Sequence, residues 1–192
     1  MKIAIPYFSG SGHTLRLAEH VAEGAKEAPG ATVKILNVET LAEEDWDFLK
    51  EADAVIFGAP TYMGSIAGSF KQFMDQTAGD FWRQRTWADK IAGGFTVALF
   101  PSGDKLSTLG QMSVFAAQHG MIWVGLNELG SAVTGDGQAL NDNGAWLGLM
   151  ATSSRDKDAL IDAHDAKTAR LFGRRIAKTA QRWVCADRQA AA

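Results

Sequence analysis

The sequence lacks several features, and each absence excludes a class of structure or function. It has one cysteine among 192 residues, Cys185, so it cannot form a disulfide within the chain or a metal site built from several cysteines. It has no excess of positive charge, because 19 Lys and Arg stand against 22 Asp and Glu, which gives a net charge of −3. Binding to a nucleic-acid backbone needs a basic surface, so we expect no nucleic-acid partner.

Long apolar runs are absent as well. No stretch approaches the roughly 20 apolar residues that a membrane span needs, and the apolar run in residues 1–8 is too short for a signal peptide. We therefore expect no membrane insertion, and the single cysteine fits a reducing, cytoplasmic setting. A chain of 192 residues with 46% hydrophobic content predicts one domain with a substantial core.

Short apolar runs alternate with segments of helical periodicity along the chain. The apolar runs predict five buried strands, at residues 3–8, 33–38, 54–57, 94–100 and 121–124. Buried strands separated by helices indicate a parallel sheet covered on both faces. We predict an α/β fold with a doubly wound five-stranded sheet in the order 2-1-3-4-5. One domain would span residues 1–184, closed by a helix over 166–184, and residues 185–192 would form a frayed tail.

The segment over residues 125–155 has weak periodicity and contains six glycines. A long glycine-rich segment inside a compact domain is usually a functional loop or an interface.

Hydroxyl side chains and glycines follow the first predicted strand, where the first predicted helix begins. In order they are Ser9, Gly10, Ser11, Gly12, His13 and Thr14. Free N–H groups at a helix N-terminus bind anions, and glycine allows a close backbone approach. The stretch lacks both the Gly-Lys-Ser/Thr ending of a triphosphate loop and the third glycine of a dinucleotide loop. It predicts a site for a terminal monophosphate, with an ordinary helix cap as the alternative.

Two further loops are expected at the same edge of the sheet. In the order 2-1-3-4-5 the chain reverses direction between strands one and three, and ligands bind at the carboxyl ends of the strands there. The loop after strand three offers Thr61, Tyr62, Met63 and Gly64 to a flat ring. The loop after strand four offers Ser102, Gly103 and Asp104, with free amides at the start of the next helix. Turn formation and surface packing are the alternatives for these residues.

These segments resemble flavodoxin-like FMN proteins, and more closely the WrbA-type NAD(P)H:quinone oxidoreductases. The likeness covers residues 1–184 and is carried by SGSGHT, GAPTYMGSIAGSFKQFMD, PSGDKLSTL and AAQHGMIWVG. It implies that the FMN phosphate is bound by Ser9, Ser11, Gly12, His13 and Thr14. It implies ring contacts from Pro60, Thr61, Tyr62, Met63 and Gly64, and an approach of Ser102, Gly103 and Asp104 to the pyrimidine edge of the ring.

The same resemblance places His119 near the ring as the candidate catalytic residue. The alternative is helix capping, because His119 ends a predicted helix and the helix dipole favours its cation there. No spacing typical of a metal site stands out in the sequence. The sequence also departs from WrbA proteins at residues 98–101, where those proteins carry a loop rich in serine and threonine.

The resemblance implies an FMN-dependent oxidoreductase that passes two electrons from NADH or NADPH to a quinone. It also implies homodimers or homotetramers, with a neighbouring subunit closing the space above the flavin. Three alternatives stay open: an FMN or azo-compound reductase of the same fold, a one-electron carrier of the flavodoxin type, and a module that only holds FMN. The small net charge and the segment over 125–155 favour an enzyme.

Overall fold

Seven strands form one sheet in the computed structural model, which describes residues 1–135, 137, 139–154, 156 and 158–190. The strands are β1 (Lys2–Tyr7), β2 (Thr32–Asn37), β3 (Ala54–Tyr62), β4 (Ser65–Ile66), β5 (Ile91–Ala98), β6 (Ile122–Trp123) and β7 (Leu149–Thr152). Their order is β2-β1-β3-β5-β6, and all pairs along this path are parallel. Because β1, β2, β3, β5 and β6 are the five predicted strands, the predicted doubly wound order is confirmed.

Helices cover both faces of this sheet. They are α1 (His13–Lys26), α2 (Glu43–Glu51), α3 (Gly68–Gln76), α4 (Asp80–Arg83), α5 (Lys105–Gln118), α6 (Ser131–Thr134) and α7 (Ala163–Ala190). On one face α1 and α7 bury residues such as Leu17 and Phe172 against the strands. On the other face α3 and α5 bury residues such as Phe70 and Met112. The described helices include none that is long and apolar enough to cross a membrane.

The edge strand beside β5 is split into two pieces. Strand β6 pairs with the start of β5, where Ile91 lies opposite Ile122, and β7 pairs with its end, where Phe95 lies opposite Leu149. The chain leaves this edge at Gly125 and returns at Gly148. A Cβ atom would lie 2.2 Å from the Trp146 carbonyl oxygen at Gly125, and 2.5 Å from the Gly94 carbonyl oxygen at Gly148. Only glycine fits at these two points, so the segment predicted as a loop includes the second half of an edge strand.

The last helix is longer than the periodicity predicts. Helix α7 continues to Ala190, whereas the apolar repeat predicts an end at residue 184 and a frayed tail beyond it. The extra residues are mostly Ala, Arg and Gln, which favour a helix without an apolar face. Residues 191 and 192 of the predicted tail, and residues 136, 138 and 155 of the glycine-rich segment, lie outside the described residues.

Helices α1 and α7 cross in direct backbone contact at two glycines. A Cβ atom at Gly24 would lie 1.8 Å from the Arg170 carbonyl oxygen, and one at Gly173 would lie 1.9 Å from the Val21 carbonyl oxygen. No side chain can occupy such a space unless the helices separate. The two glycines therefore set the distance between α1 and α7.

Candidate functional site

A cleft of about 220 Å³ lies at the carboxyl ends of β1, β3 and β5. Its walls come from the first loop (Ser9, Gly10, Ser11, His13 and Thr14), from the end of β3 (Pro60, Thr61 and Tyr62), from the end of β5 (Val97, Ala98 and Leu99), and from Ser153. The structure thus brings the first two predicted loops together, as the strand order requires. Val97, Ala98, Leu99 and Ser153 were not among the site residues predicted from the sequence.

The first loop turns tightly into α1. Gly12 is the N-cap of the helix and has φ 88° and ψ −23°, in the left-handed region that favours glycine. The Ser9 hydroxyl oxygen accepts hydrogen bonds from the backbone N–H groups of Gly12, at 3.1 Å, and of Leu15, at 3.2 Å. The N–H groups of His13 and Thr14, at the start of the helix, have no carbonyl partner within it. The loop therefore offers several amide and hydroxyl donors in a small space.

The second loop is a two-residue hairpin turn between β3 and β4. Tyr62 lies opposite Ser65, and the turn residues Met63 and Gly64 have φ of 49° and 76°. This turn normally takes Asn-Gly or Asp-Gly, because both positions need positive φ. Met63 is fully exposed at the tip of the turn. The turn geometry alone gives no reason for a large apolar side chain at this strained position.

The first two loops touch each other at Gly10 and Tyr62. A Cβ atom at Gly10 would lie 2.5 Å from the Tyr62 hydroxyl oxygen. The absence of a side chain at residue 10 therefore allows the tyrosine to lie across the first loop, with about half of its surface exposed.

Three buried threonines hold the wall of the cleft behind the second loop. The Thr61 hydroxyl oxygen lies 2.9 Å from that of Thr96, in β5, and 2.8 Å from that of Thr108, in α5. Thr61 faces the cleft, so Thr96 and Thr108 fix the orientation of its side chain. The sequence gives no signal for this cluster, because a threonine in a strand and another in a helix are individually unremarkable choices.

The third predicted loop lies beside the cleft, and its residues are not part of the cleft wall. Gly103 and Asp104 both have positive φ, 52° and 53°, and the loop folds back onto the end of β5. A Cβ atom at Gly103 would lie 2.6 Å from the Cβ atom of Ala98. Ser102 and Asp104 line a neighbouring cavity of about 760 Å³. On this side the cleft is walled by residues 97–99 instead.

Within this chain the structure places His119 away from the cleft, and its role as a catalytic residue near the flavin ring stays a prediction. Helix α5 runs back from the carboxyl end of β5 to the amino end of β6, so its C-cap, His119, lies at the opposite edge of the sheet. Its Nε2 atom lies 2.9 Å from the Thr77 hydroxyl oxygen, and its ring packs against Trp87 and Phe115. Its Nδ1 atom has no hydrogen-bond partner among the described residues.

Burial controls the charge of His119. Only 3% of its surface is exposed, and this burial, with a smaller contribution from the positive charge of Arg85, lowers the pKa of His119 to about 4. The imidazole is therefore neutral at pH 7, and burial outweighs the preference of the helix dipole for its cation. The residue borders a groove of about 660 Å³ between α3 and α5.

The buried His119 makes stability depend on acidity. In the unfolded chain a histidine takes up its proton near pH 6.5, whereas in the folded protein it does so near pH 4. The unfolded state therefore binds the proton first, and the free energy of unfolding falls as the pH is lowered from 7 to 4, by about 3 kcal/mol from this group. We expect His119→Gln to remove this part of the pH dependence. Urea unfolding of both proteins at several pH values measures it, and a difference between the two proteins that stays constant with pH would contradict the assignment.

The fold and the cleft together define a class of protein. A doubly wound sheet in this order, with a hydroxyl-rich loop at the first helix N-terminus, is the flavodoxin-like architecture. A family model described as NADPH-dependent FMN reductase matches residues 1–134. The chain belongs to this family of FMN oxidoreductases, and the resemblance found in the sequence is confirmed.

Individual relatives agree with this assignment. Flavodoxin FldP of Pseudomonas aeruginosa is 40% identical over 182 residues, which cover 94% of this chain and 97% of that protein. An NAD(P)H dehydrogenase (quinone) of Geotalea uraniireducens is 32% identical over 206 residues, covering 95% and 98% of the two chains. The crystal structure of a WrbA-like flavodoxin from Agrobacterium tumefaciens superposes with a TM-score of 0.73 at 38% identity, covering 94% of this chain and 98% of that one.

Proposed function

We propose that this protein is an FMN-dependent oxidoreductase that passes two electrons from NADH or NADPH to a quinone. The observation that carries the proposal is the cleft at the carboxyl ends of β1, β3 and β5, with helix-terminal amides and hydroxyls on one side and an exposed aromatic loop on the other. Membership of the FMN reductase family supports FMN as the cofactor. Relatives named NAD(P)H dehydrogenase (quinone) support the donor and the acceptor.

The donors of the first loop fit the phosphate of FMN. The N–H groups of Gly12 and Leu15 bond to the Ser9 hydroxyl oxygen, which fixes the shape of the loop and orients the Ser9 O–H as a donor. The hydroxyls of Ser11 and Thr14 and the free amides at the start of α1 add further donors. The positive end of the helix dipole supplies charge without a lysine. In the proposal Ser9, Ser11, Gly12, His13 and Thr14 hold the phosphate.

The second loop would hold the isoalloxazine ring. Thr61 is fixed by its two hydroxyl partners, and Tyr62 and Met63 present exposed apolar surface beside it. With Pro60 and Gly64 they form the wall on which a flat ring would lie. When bound there, FMN would supply the hydride and electron-transfer chemistry, and these residues would supply its position and electrostatic environment. Ser102, Gly103 and Asp104 would act through their backbone, next to the cleft.

A one-electron carrier is the second candidate function. The 40% identity to flavodoxin FldP favours it. The exposed side chains of Met63, Leu99 and Phe100 near the cleft would then contact a partner protein instead of a small acceptor. The two candidates share the flavin and differ in whether a nicotinamide nucleotide reduces it directly.

Reduction by a nicotinamide nucleotide separates these candidates. We expect heat to release FMN, which its mass identifies, because the first loop is proposed to bind a terminal monophosphate. Anaerobic addition of NADH or NADPH should bleach the visible absorbance of the flavin at least as fast as the enzyme turns over. Addition of a quinone should restore the absorbance. Recovery of FAD, or of no flavin from protein supplied with FMN, would overturn the cofactor proposal. Bleaching by dithionite but by neither nucleotide would favour the carrier.

Assembly into homodimers or homotetramers stays a prediction from the WrbA resemblance. Large apolar side chains are exposed at the cleft, as at Tyr62 and Leu99, and elsewhere on the surface, as at Val114 in α5 and at Trp82 and Trp146. Burial of such residues between subunits would exclude water from the path of the hydride. We expect light scattering to detect an oligomer, and quinone reduction to fall on dilution below its dissociation constant. A monomer with full activity at micromolar concentration would show that one chain completes the site.

A further inference from the structure

A lysine is completely buried directly behind the cleft. Lys105 is the first residue of α5, follows the third loop, and has 0% of its surface exposed. Its Nζ atom donates hydrogen bonds to Asn143 Oδ1 at 3.0 Å, to the Ala151 carbonyl oxygen at 3.0 Å and to Thr152 Oγ1 at 3.1 Å. An ammonium group has three protons, so all of its donors are used. Lysine is almost never fully buried unless it is paired, so this arrangement calls for a specific role.

The acceptors of Lys105 belong to a network that ends on a buried carboxylate. The Asn143 side-chain N–H donates a hydrogen bond to Asp165 Oδ1, at 3.2 Å. Asp165 Oδ2 accepts one from the backbone N–H of Thr152, at 2.9 Å. Asn143 therefore joins the lysine to the aspartate through the two ends of its amide. Burial lowers the pKa of Lys105 to about 8 against the opposing charge of Asp165, so the ammonium stays charged at neutral pH.

This network holds two parts of the cleft wall. Thr152 is followed by Ser153, which lines the cleft and donates its N–H to the carbonyl oxygen of Ala98, at 2.9 Å. On the other side of Lys105 the third loop folds onto the same Ala98. The lysine thus ties the loop after β5 to the end of β7, and Asn143 extends the tie to the segment between β6 and β7.

We propose that Lys105 is a positioning residue for flavin binding, which sets the geometry of the cleft wall at Ala98, Leu99 and Ser153 through the adjoining third loop and the end of β7. The inference rests on the proposed function, since it takes FMN as the occupant of the cleft. A buried charged network gives little stability compared with apolar packing, but it fixes one arrangement of the groups it joins. Loss of the ammonium would remove a donor from three buried acceptors, of which Asn143 Oδ1 would keep the Thr152 hydroxyl at 3.3 Å, and the loop and the strand end would move apart.

Lys90 offers a matched control for this role. It is a partly buried lysine whose ammonium donates to the carbonyl oxygen of Lys50, and it lies just before β5, at the amino edge of the sheet. Lys90→Met therefore removes a partly buried ammonium far from the cleft, whereas Lys105→Met removes a fully buried one beside it.

The test compares FMN binding and the environment of the bound ring in the two variants. We expect Lys105→Met to raise the FMN dissociation constant at least tenfold, and to change the visible circular dichroism of the FMN-saturated protein. Lys90→Met should stay within twofold of the wild type with an unchanged spectrum. Hydrogen exchange without flavin should accelerate over residues 99–104 and 143–153 in Lys105→Met only. If Lys105→Met does not fold, Thr152→Val removes one acceptor while keeping the side-chain shape, and should weaken FMN binding at least threefold.

The inference alone would be overturned if folded Lys105→Met bound FMN with a dissociation constant within twofold of the wild type and kept its visible spectrum. If Lys105→Met does not fold, the same result for Thr152→Val would overturn it. A wild-type protein that binds no FMN would overturn the proposed function instead, and the two failures are therefore distinguishable.

Discussion

Replacement of Gly24 by alanine is expected to destabilise the protein by about 3 kcal/mol or more. In most helices this change is stabilising, because alanine loses less conformational freedom than glycine. At the crossing of α1 and α7, however, the new Cβ atom would lie 1.8 Å from the carbonyl oxygen of Arg170. A backbone atom cannot rotate away, so the two helices must separate and the packing between them is lost. Urea unfolding followed by far-UV circular dichroism measures the change.

Gly110→Ala is the matched control for that substitution. Gly110 lies within α5, and apart from its neighbours and the backbone of its own helix no heavy atom lies within 4 Å of the position its Cβ would take. The same chemical change should therefore raise the free energy of unfolding by about 0.5–1 kcal/mol. Opposite signs for the two variants would establish the helix contact as the cause, and equal effects would contradict it.

Replacement of Gly12 by valine is expected to weaken FMN binding by about a hundredfold or more. The N-cap of α1 has φ 88°, a conformation that a β-branched residue adopts only with strain, and a side chain there blocks the approach of the phosphate to the backbone. Hydrogen bonds to a charged group contribute about 1.5–3 kcal/mol each, so loss of two accounts for this factor. Titration of the apoprotein with FMN, followed by quenching of flavin fluorescence, measures the dissociation constant.

Gly30→Val separates backbone strain from loss of the ligand contact. Gly30 has a similar φ of 72°, with no heavy atom near its Cβ position, and it lies between α1 and β2, at the other edge of the sheet. Both variants should lose stability from strain, but Gly30→Val should bind FMN like the wild type. If Gly12→Val folds and also binds FMN with unchanged affinity, the phosphate is not held by the first loop.

Hydrophobic patterning predicts those parts of this fold that depend on local sequence. The buried runs of β1, β3 and β5 and the helical repeat of α1 each contain their own signal, and the strand order places the first two loops together. Strand β7 has only four residues, and its assignment depends on pairing with the far half of β5, which no local pattern encodes.

The positions of His119 and Lys105 were beyond sequence reasoning for the same physical cause. The family resemblance placed His119 near the flavin, but the direction of α5 carries it to the opposite edge of the sheet. Lys105 reads as a surface residue at a helix start, and its acceptors lie 38 to 47 residues further along the chain. Burial of a charged group is decided by such distant partners, and a single sequence does not contain the pairing.

The split edge strand also gives the protein a loop, between β6 and β7, whose length can change without altering the sheet. The N–H of Val124 donates to the carbonyl oxygen of Ala92, and Leu149 lies opposite Phe95, so both ends of the intervening segment are fixed to one strand about 10 Å apart. The entropic cost of closing such a loop grows slowly, by about 0.6 kcal/mol for each doubling of its length. A foreign peptide or a whole domain could be inserted near Gly135, in the middle of this segment in sequence, while Asn141 and Asn143 stay hydrogen-bonded to the rest of the fold. Insertion of a ligand-binding domain at this edge of the sheet would give a sensor whose signal is the visible absorbance of the bound flavin.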